Sequence, residues 1–136
     1  MADCLFCGIA AGAIPATIVA EDERALAFMD IFPAAEGHVL VIPRAHHDDA
    51  LAADDDALAA CSALAARVGR AQEAALGATG VTLLSCARPD GWQTVFHLHL
   101  HVLPRFPDDG LTIPWPTAPG DAEGLARTAA RLRAAL

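Results

Sequence analysis

The sequence contains no lysine; all nine of its basic residues are arginine, against 17 acidic ones, for a formal net charge of −8. A chain with so few cations is poorly suited to a nucleic-acid backbone, where basic side chains must displace counterions. A small phosphorylated ligand is held by local donors, so it stays open as a partner. No apolar run reaches the roughly 18 residues of a membrane span. A secretory leader is not expected either: the opening MADCLFCGIAAG carries Asp3 where such a signal would be positive, and its apolar stretch is short. The expectation is a cytoplasmic protein with no membrane and no nucleic-acid polymer as partner. Aromatic residues are scarce at 5%, yet hydrophobic residues reach 54% and charged ones only 19%, which supports a packed core. At 136 residues one domain is expected over 1–136, with a core from 4 to 105 and a proline-rich tail and terminal helix over 106–136.

The hydrophobic pattern predicts an α+β domain. Asp3 can cap a short helix over Cys4 to Ala11, and Thr17 to Ala20 and Ala25 to Asp30 read as strands joined by a turn at 21–24. His38 to Ile42 is continuous and apolar and reads as a buried strand. Asp54, Asp55 and Asp56 open the longest helix, where acidic residues cap free N–H groups. Its Leu58, Cys61, Leu64, Ala65 and Val68 follow the 3.6-residue period. Val81 to Cys86 and Val95 to Leu103 complete five strands. The terminal helix from Asp121 turns Leu125 and Leu132 inward. The expected architecture is a five-stranded antiparallel sheet with the helices on one face.

The chemistry concentrates in the histidines. Three of the six lie on alternate positions, His97, His99 and His101. On a strand such residues share a face at roughly 7 Å spacing, while Leu98, Leu100 and Val102 face the core. A row of imidazoles can be a solvated strand face, a metal triad, or a nucleophile with supporting groups. Cys4 and Cys7 form a C-x-x-C, a metal half-site or a redox pair in a cytosolic chain. No strand precedes it, which weighs against the redox reading. Cys61 and Cys86 read as lone core thiols.

The segment Gly91 to Leu103, GWQTVFHLHLHVL, resembles the signature of the histidine triad (HIT) family. Cys4-Leu5-Phe6-Cys7-Gly8-Ile9 with Ile14-Pro15, Ala27-Phe28-Met29-Asp30-Ile31, and Gly37-His38-Val39-Leu40-Val41-Ile42-Pro43 resemble further segments of that family in the same order. The resemblance implies a homodimer whose two sheets join into one, acting on a small-molecule nucleotide. The implied activity is hydrolysis or transfer at the α-phosphate of a nucleotide conjugate: a phosphoramidate, a dinucleoside polyphosphate or an acyl adenylate. By position His99 would be the nucleophile that takes the nucleotidyl group, His101 would contact the phosphate, and His97 and His38 would support them. Gln93 and Thr94 match phosphate-contacting positions, Asp30 the ribose contact, and Phe6, Ile9, Phe28 and Ile31 the apolar base slot. In a subset of the family Cys4 and Cys7 would share a structural zinc with His46 and His97, which makes His97 structural. Cys86 stands where many relatives carry an asparagine, and Trp92 where a small residue is usual. Those departures keep a nucleotide-binding module with little catalysis as the alternative. Arg88 is a candidate cation toward phosphate, and Trp115, between Pro114 and Pro116, an anchor for the tail.

Overall fold

The computed structural model describes residues 3–136. Helix α1 (Leu5–Ala10) leads into strands β1 (Ile18–Glu21), β2 (Ala25–Met29) and β3 (Val39–Pro43). Helix α2 (Asp55–Leu76) follows, then β4 (Gly80–Leu84), a single 3₁₀ turn (Pro89–Gly91), β5 (Leu100–Arg105) and helix α3 (Ala122–Ala135). The sheet has five strands in the order β1-β2-β3-β5-β4, with every neighbouring pair antiparallel. The α+β class, the five-stranded sheet and the C-terminal helix agree with the sequence pattern. Among the described residues no helix is long and apolar enough to cross a membrane.

Strand alternation sends two sets of side chains to opposite faces. Ala25, Ala27, Val39, Val41 and Val102 meet Cys61, Leu64, Ala65 and Val68 of α2. Leu26, Phe28, Leu40 and Ile42 meet Phe6 of α1 on the other side. The two helices therefore do not share a face as expected: α2 covers one and α1 part of the other. The side chains themselves give the reason, since both faces of β2 and β3 are apolar and each needs a cover. The side opposite α2 is where the histidines gather. Leu40 is paired with His101 in the β3–β5 ladder, so His101 shares the face of Phe28, Leu40 and Phe6.

Other boundaries also differ from expectation. Cys4, not Asp3, is the N-cap of α1, its sulfur accepting from the Cys7 amide. The Asp54 carboxylate caps α2 as expected, accepting from the Ala57 amide. Strand β4 ends at Leu84, which leaves Cys86 half-buried in the following loop and not in the core. Strand β5 starts at Leu100, five residues later than the pattern suggested, and runs on to Arg105. It tolerates Pro104 because β3 pairs only as far as Val102, and beyond that β5 has β4 alone as partner. Helix α3 buries no side chain, and Leu125 and Leu132 are each 62% exposed, so neither points inward.

Candidate functional site

His97 and His99 precede β5 and are held by tertiary contacts. The Leu98 amide donates to the His47 carbonyl at 2.7 Å, tying the segment to the loop that follows β3. The imidazoles still form a continuous row. The Phe6 ring lies edge-on to His97 at 5.9 Å and to His99 at 5.2 Å; His99 lies 5.2 Å from His101, and His101 5.1 Å from His38. Leu98 and Val102 are buried, Val102 in the core under α2 on the opposite face of the sheet. The expected sharing of one side is present, although only His101 achieves it by being on a strand.

Hydrogen bonds fix the tautomers along this row. His99 Nδ1 sits 2.7 Å from the His97 carbonyl, an acceptor only, so Nδ1 carries the proton and Nε2 keeps its lone pair. The Ala34 amide donates to His38 Nδ1 at 3.0 Å, which places the His38 proton on Nε2. That Nε2–H donates to His101 Nδ1 at 2.8 Å and lies 3.4 Å from Asp30 Oδ2. His101 must then carry its own proton on Nε2. One imidazole thus offers a lone pair while its neighbour offers an N–H donor.

Burial lowers the pKa of all four of these histidines. For His99 and His38 the nearby Asp30 charge opposes the shift without reversing it. For His97 burial again leads, opposed by the hydrogen bond to Pro43. His101 falls to about 4, through burial first and then the proximity of His99 and His38. The row is neutral at physiological pH, the state the tautomer pattern requires.

A cleft of about 440 Å³ opens in front of His99 and His101. That volume lies within the roughly 300–1,000 Å³ of small-molecule sites. Phe6, Ile9, Phe28 and Ile31 form apolar walls, with Asp30 and Thr94 beside the histidines. Asp30 also shapes the rim: its Oδ1 accepts from the Phe32 amide at 2.8 Å, an Asx turn that leaves Ile31 and Phe32 exposed at the mouth. Gln93, expected at the phosphate, lies outside the cleft lining. Its amide nitrogen donates to the carbonyls of Asp48 and Val95, and its oxygen accepts from the Arg88 amide.

On the far side of α1, Cys4, Cys7, His46 and His97 bring four ligand atoms within 4.8 Å of one another. The Cys4 sulfur lies 3.4 Å from His97 Nδ1, and the Cys7 sulfur 3.4 Å from His46 Nδ1 and 3.5 Å from His97 Nδ1. Metal–ligand bonds of roughly 2.0–2.3 Å in a tetrahedral site give ligand spacings of this order. The outer hydrogen bonds fit as well. His97 Nε2 donates to the Pro43 carbonyl and His46 Nε2 to Asp48, both at 2.9 Å, so both rings turn unprotonated Nδ1 atoms inward. Burial disfavours the Cys4 thiolate, but hydrogen bonds led by the Cys7 amide outweigh it and leave the pKa lowered. By contrast Cys61 is pushed up to about 12 by burial, an inert core thiol. Asp30, His38 and His101 form a second cluster of potential ligands. The Ala34 amide forces a proton onto the His38 atom that would have to ligate, so that set is unsuited to a metal.

Sequence reasoning missed Asp49, which is 1% exposed. Its carboxylate accepts from the Leu51 and Ala52 amides and pairs with Arg88 Nε at 2.9 Å. Arg88 is thus engaged with Asp49 and lies outside the cleft lining. An aspartate in a run of acidic residues carries no signal of such a role. Trp115 stacks on Trp92 with ring centres 5.4 Å apart, a contact between the tail and the residue that ends the 3₁₀ turn.

The HIT domain model matches residues 11–108 of the chain. The protein hit of Bacillus subtilis is 35% identical over 120 residues, covering 88% of this chain and 83% of that protein. A crystal structure of a HIT family protein from Bacillus anthracis is 32% identical, covers 98% of this chain and 97% of that one, and superposes with a TM-score of 0.91. A Zn-bound histidine triad family protein from Mycobacterium smegmatis is 37% identical, covers 99% of each chain and has a TM-score of 0.79.

Proposed function

The chain belongs to the histidine triad (HIT) family, and on that premise we propose that it hydrolyses or transfers the nucleotidyl group of a nucleotide conjugate through His99. The observation that carries this reading is the 2.7 Å hydrogen bond from His99 Nδ1 to the His97 carbonyl, which reserves the Nε2 lone pair for attack. Nε2 forms a bond to the α-phosphorus as the bond to the leaving group breaks. Water then cleaves the P–N bond and regenerates the imidazole, so one difficult displacement becomes two easier ones. His101, with its proton on Nε2, donates to a non-bridging phosphoryl oxygen where charge builds up. His38 is a positioning residue that sets the His101 tautomer.

The base lies between Phe6, Ile9, Phe28 and Ile31, the ribose hydroxyls donate to Asp30, and Thr94 contacts the phosphate or leaving group. Gln93 acts from behind the wall by holding the loop that carries Thr94. Cys4, Cys7, His46 and His97 hold a structural zinc, as their donor chemistry and the Zn-bound relative support. When bound, zinc neutralises the thiolates and clamps α1 to the triad segment; no chemical step passes through it. His97 then serves as ligand and as the carbonyl that orients His99.

The chain acts as a single domain and a cytoplasmic homodimer. Strand β4 is a sheet edge whose Leu83 and Leu84 are 49% and 38% exposed, an edge suited to continuing into a second copy. The test of the reading is His99→Ala assayed on adenosine 5′-phosphoramidate, dinucleoside polyphosphates and acyl adenylates. Turnover is expected to vanish while AMP binding and the folded state persist. Full turnover by that variant would end the reading.

A further inference from the structure

The metal cluster and the cleft are two sides of one short element. Helix α1 has six residues, too few for a helix to stand alone in water. Its Cys4 and Cys7 face the metal cluster, while Leu5, Phe6 and Ile9 line the cleft. Phe6, 4% exposed, stands edge-on to both His97 and His99. His97 makes a second link, because its Nδ1 belongs to the cluster while its carbonyl accepts the hydrogen bond of His99 Nδ1–H. Anchoring the His97 ring therefore helps to hold the backbone that locks the His99 tautomer and the Phe6 ring packed beside both imidazoles.

We infer that Zn²⁺ at Cys4, Cys7, His46 and His97 and a purine nucleoside monophosphate in the cleft bind cooperatively. This inference rests on the nucleotide-site reading above and adds a coupling that a purely structural metal would not have. The metal joins the start of α1, the loop carrying His46 and the triad segment, three pieces distant in sequence. Without it, the end of α1 that carries the cysteines is tied to His46 and His97 only by sulfur–imidazole contacts, and Phe6 packing on β2 and β3 is left to hold the helix. Coupling between two binding sites is reciprocal: the factor by which Zn²⁺ tightens the nucleotide equals the factor by which the nucleotide tightens Zn²⁺.

The experiment uses the full chain, metal-loaded and chelator-stripped. AMP affinity is measured by calorimetry on both forms, and Zn²⁺ affinity by competition with a chromophoric chelator with and without AMP. The expected result is AMP bound about tenfold tighter by the loaded form, with the same factor in the Zn²⁺ titration. Hydrogen exchange should show stripping to deprotect α1 and residues 97–99, while β2, β3 and α2 stay protected. Phe6→Leu, which keeps an apolar side chain but removes the ring, should shrink the factor. Equal AMP affinities with and without metal overturn the coupling and leave the nucleotide reading standing. Failure of the loaded protein to bind AMP overturns both. Loss of protection across the whole chain on stripping overturns the route through α1 and the triad segment, since the metal would then act on AMP by holding the entire fold.

Discussion

His38 Nε2 lies 2.8 Å from His101 Nδ1, and the Ala34 amide on the other face of the His38 ring makes that contact directional. The proton order runs from backbone amide to His38 to His101 and ends as an N–H at the cleft. A histidine 63 positions earlier in the chain thus decides what the triad can donate. His38→Ala removes the donor and frees the His101 ring to change tautomer. Loss of one aligned donor to a transition-state oxyanion costs about 10²-fold in turnover. The expected outcome is a kcat lowered by roughly that factor with AMP affinity little changed. Steady-state kinetics and calorimetry check it, and an unaltered kcat would contradict the relay.

Buried imidazoles also set the pH behaviour. Burial holds His99 below its ordinary value of 6.5 and brings His101 to about 4. On the proposed chemistry His99 attacks when neutral, so kcat/KM is expected to decline on the acid side with its inflection below 6.5. The sign for stability follows from the same shift. Between 6.5 and about 4 the unfolded chain binds a proton at His101 that the folded chain refuses, so stability is lost as pH drops across that window. A pH–rate profile paired with melting curves at pH 7 and pH 5 checks both limbs. An inflection at or above pH 6.5 would go against a buried neutral row.

Asp49 and Arg88 form an asymmetric pair. The carboxylate is buried and serves two backbone amides as well, whereas the guanidinium is 63% exposed. Asp49→Ala removes the side-chain acceptor of both amides, leaving Ala52 only its longer bond to the residue-49 carbonyl, and strips Arg88 of its partner, at a cost of about 1–3 kcal/mol. Arg88→Ala loses only a screened ion pair, about 1 kcal/mol or less. Denaturant melts of the two variants should rank them in that order, and equal losses would mean the pair acts through its charge alone.

Metal content separates the cysteines. About one Zn²⁺ per chain is expected for the purified protein. Cys4→Ser and Cys7→Ser should lose it, while Cys61→Ala and Cys86→Ala retain it. Zinc retained in the Cys4 and Cys7 variants would move the metal to the histidine row.

Sequence reading succeeded where a signal was local and repeated. The apolar run of β3, the Asp54 cap of α2 and the alternate histidines each announce themselves within a few residues. The C-x-x-C was ambiguous alone, and the resemblance supplied His46 and His97 as its companions. Reading failed where tertiary contacts decide. The His47 carbonyl, not a strand partner, holds Leu98, so alternation overstated the length of β5. Helix α1 lies opposite α2 because Leu26, Phe28, Leu40 and Ile42 need a cover, a demand visible only once β2 and β3 are paired. Gln93 was expected at the phosphate from the resemblance alone, and its side chain is engaged by the Asp48 and Val95 carbonyls and the Arg88 amide, partners that a sequence position does not reveal. In α3 the periodic leucines point to an apolar face, and among the described residues nothing buries it.

The central claim is that His99 Nε2 becomes covalently bonded to phosphorus. Its most direct measurement is mass spectrometry of the protein quenched in base, where the P–N bond survives, within its first turnovers on adenosine 5′-phosphoramidate. The account predicts an adenylyl adduct on the peptide spanning residues 97–101, localised to His99 and absent from His99→Ala. Turnover at full rate with no adduct at any quench time, or an adduct on His101, would contradict it.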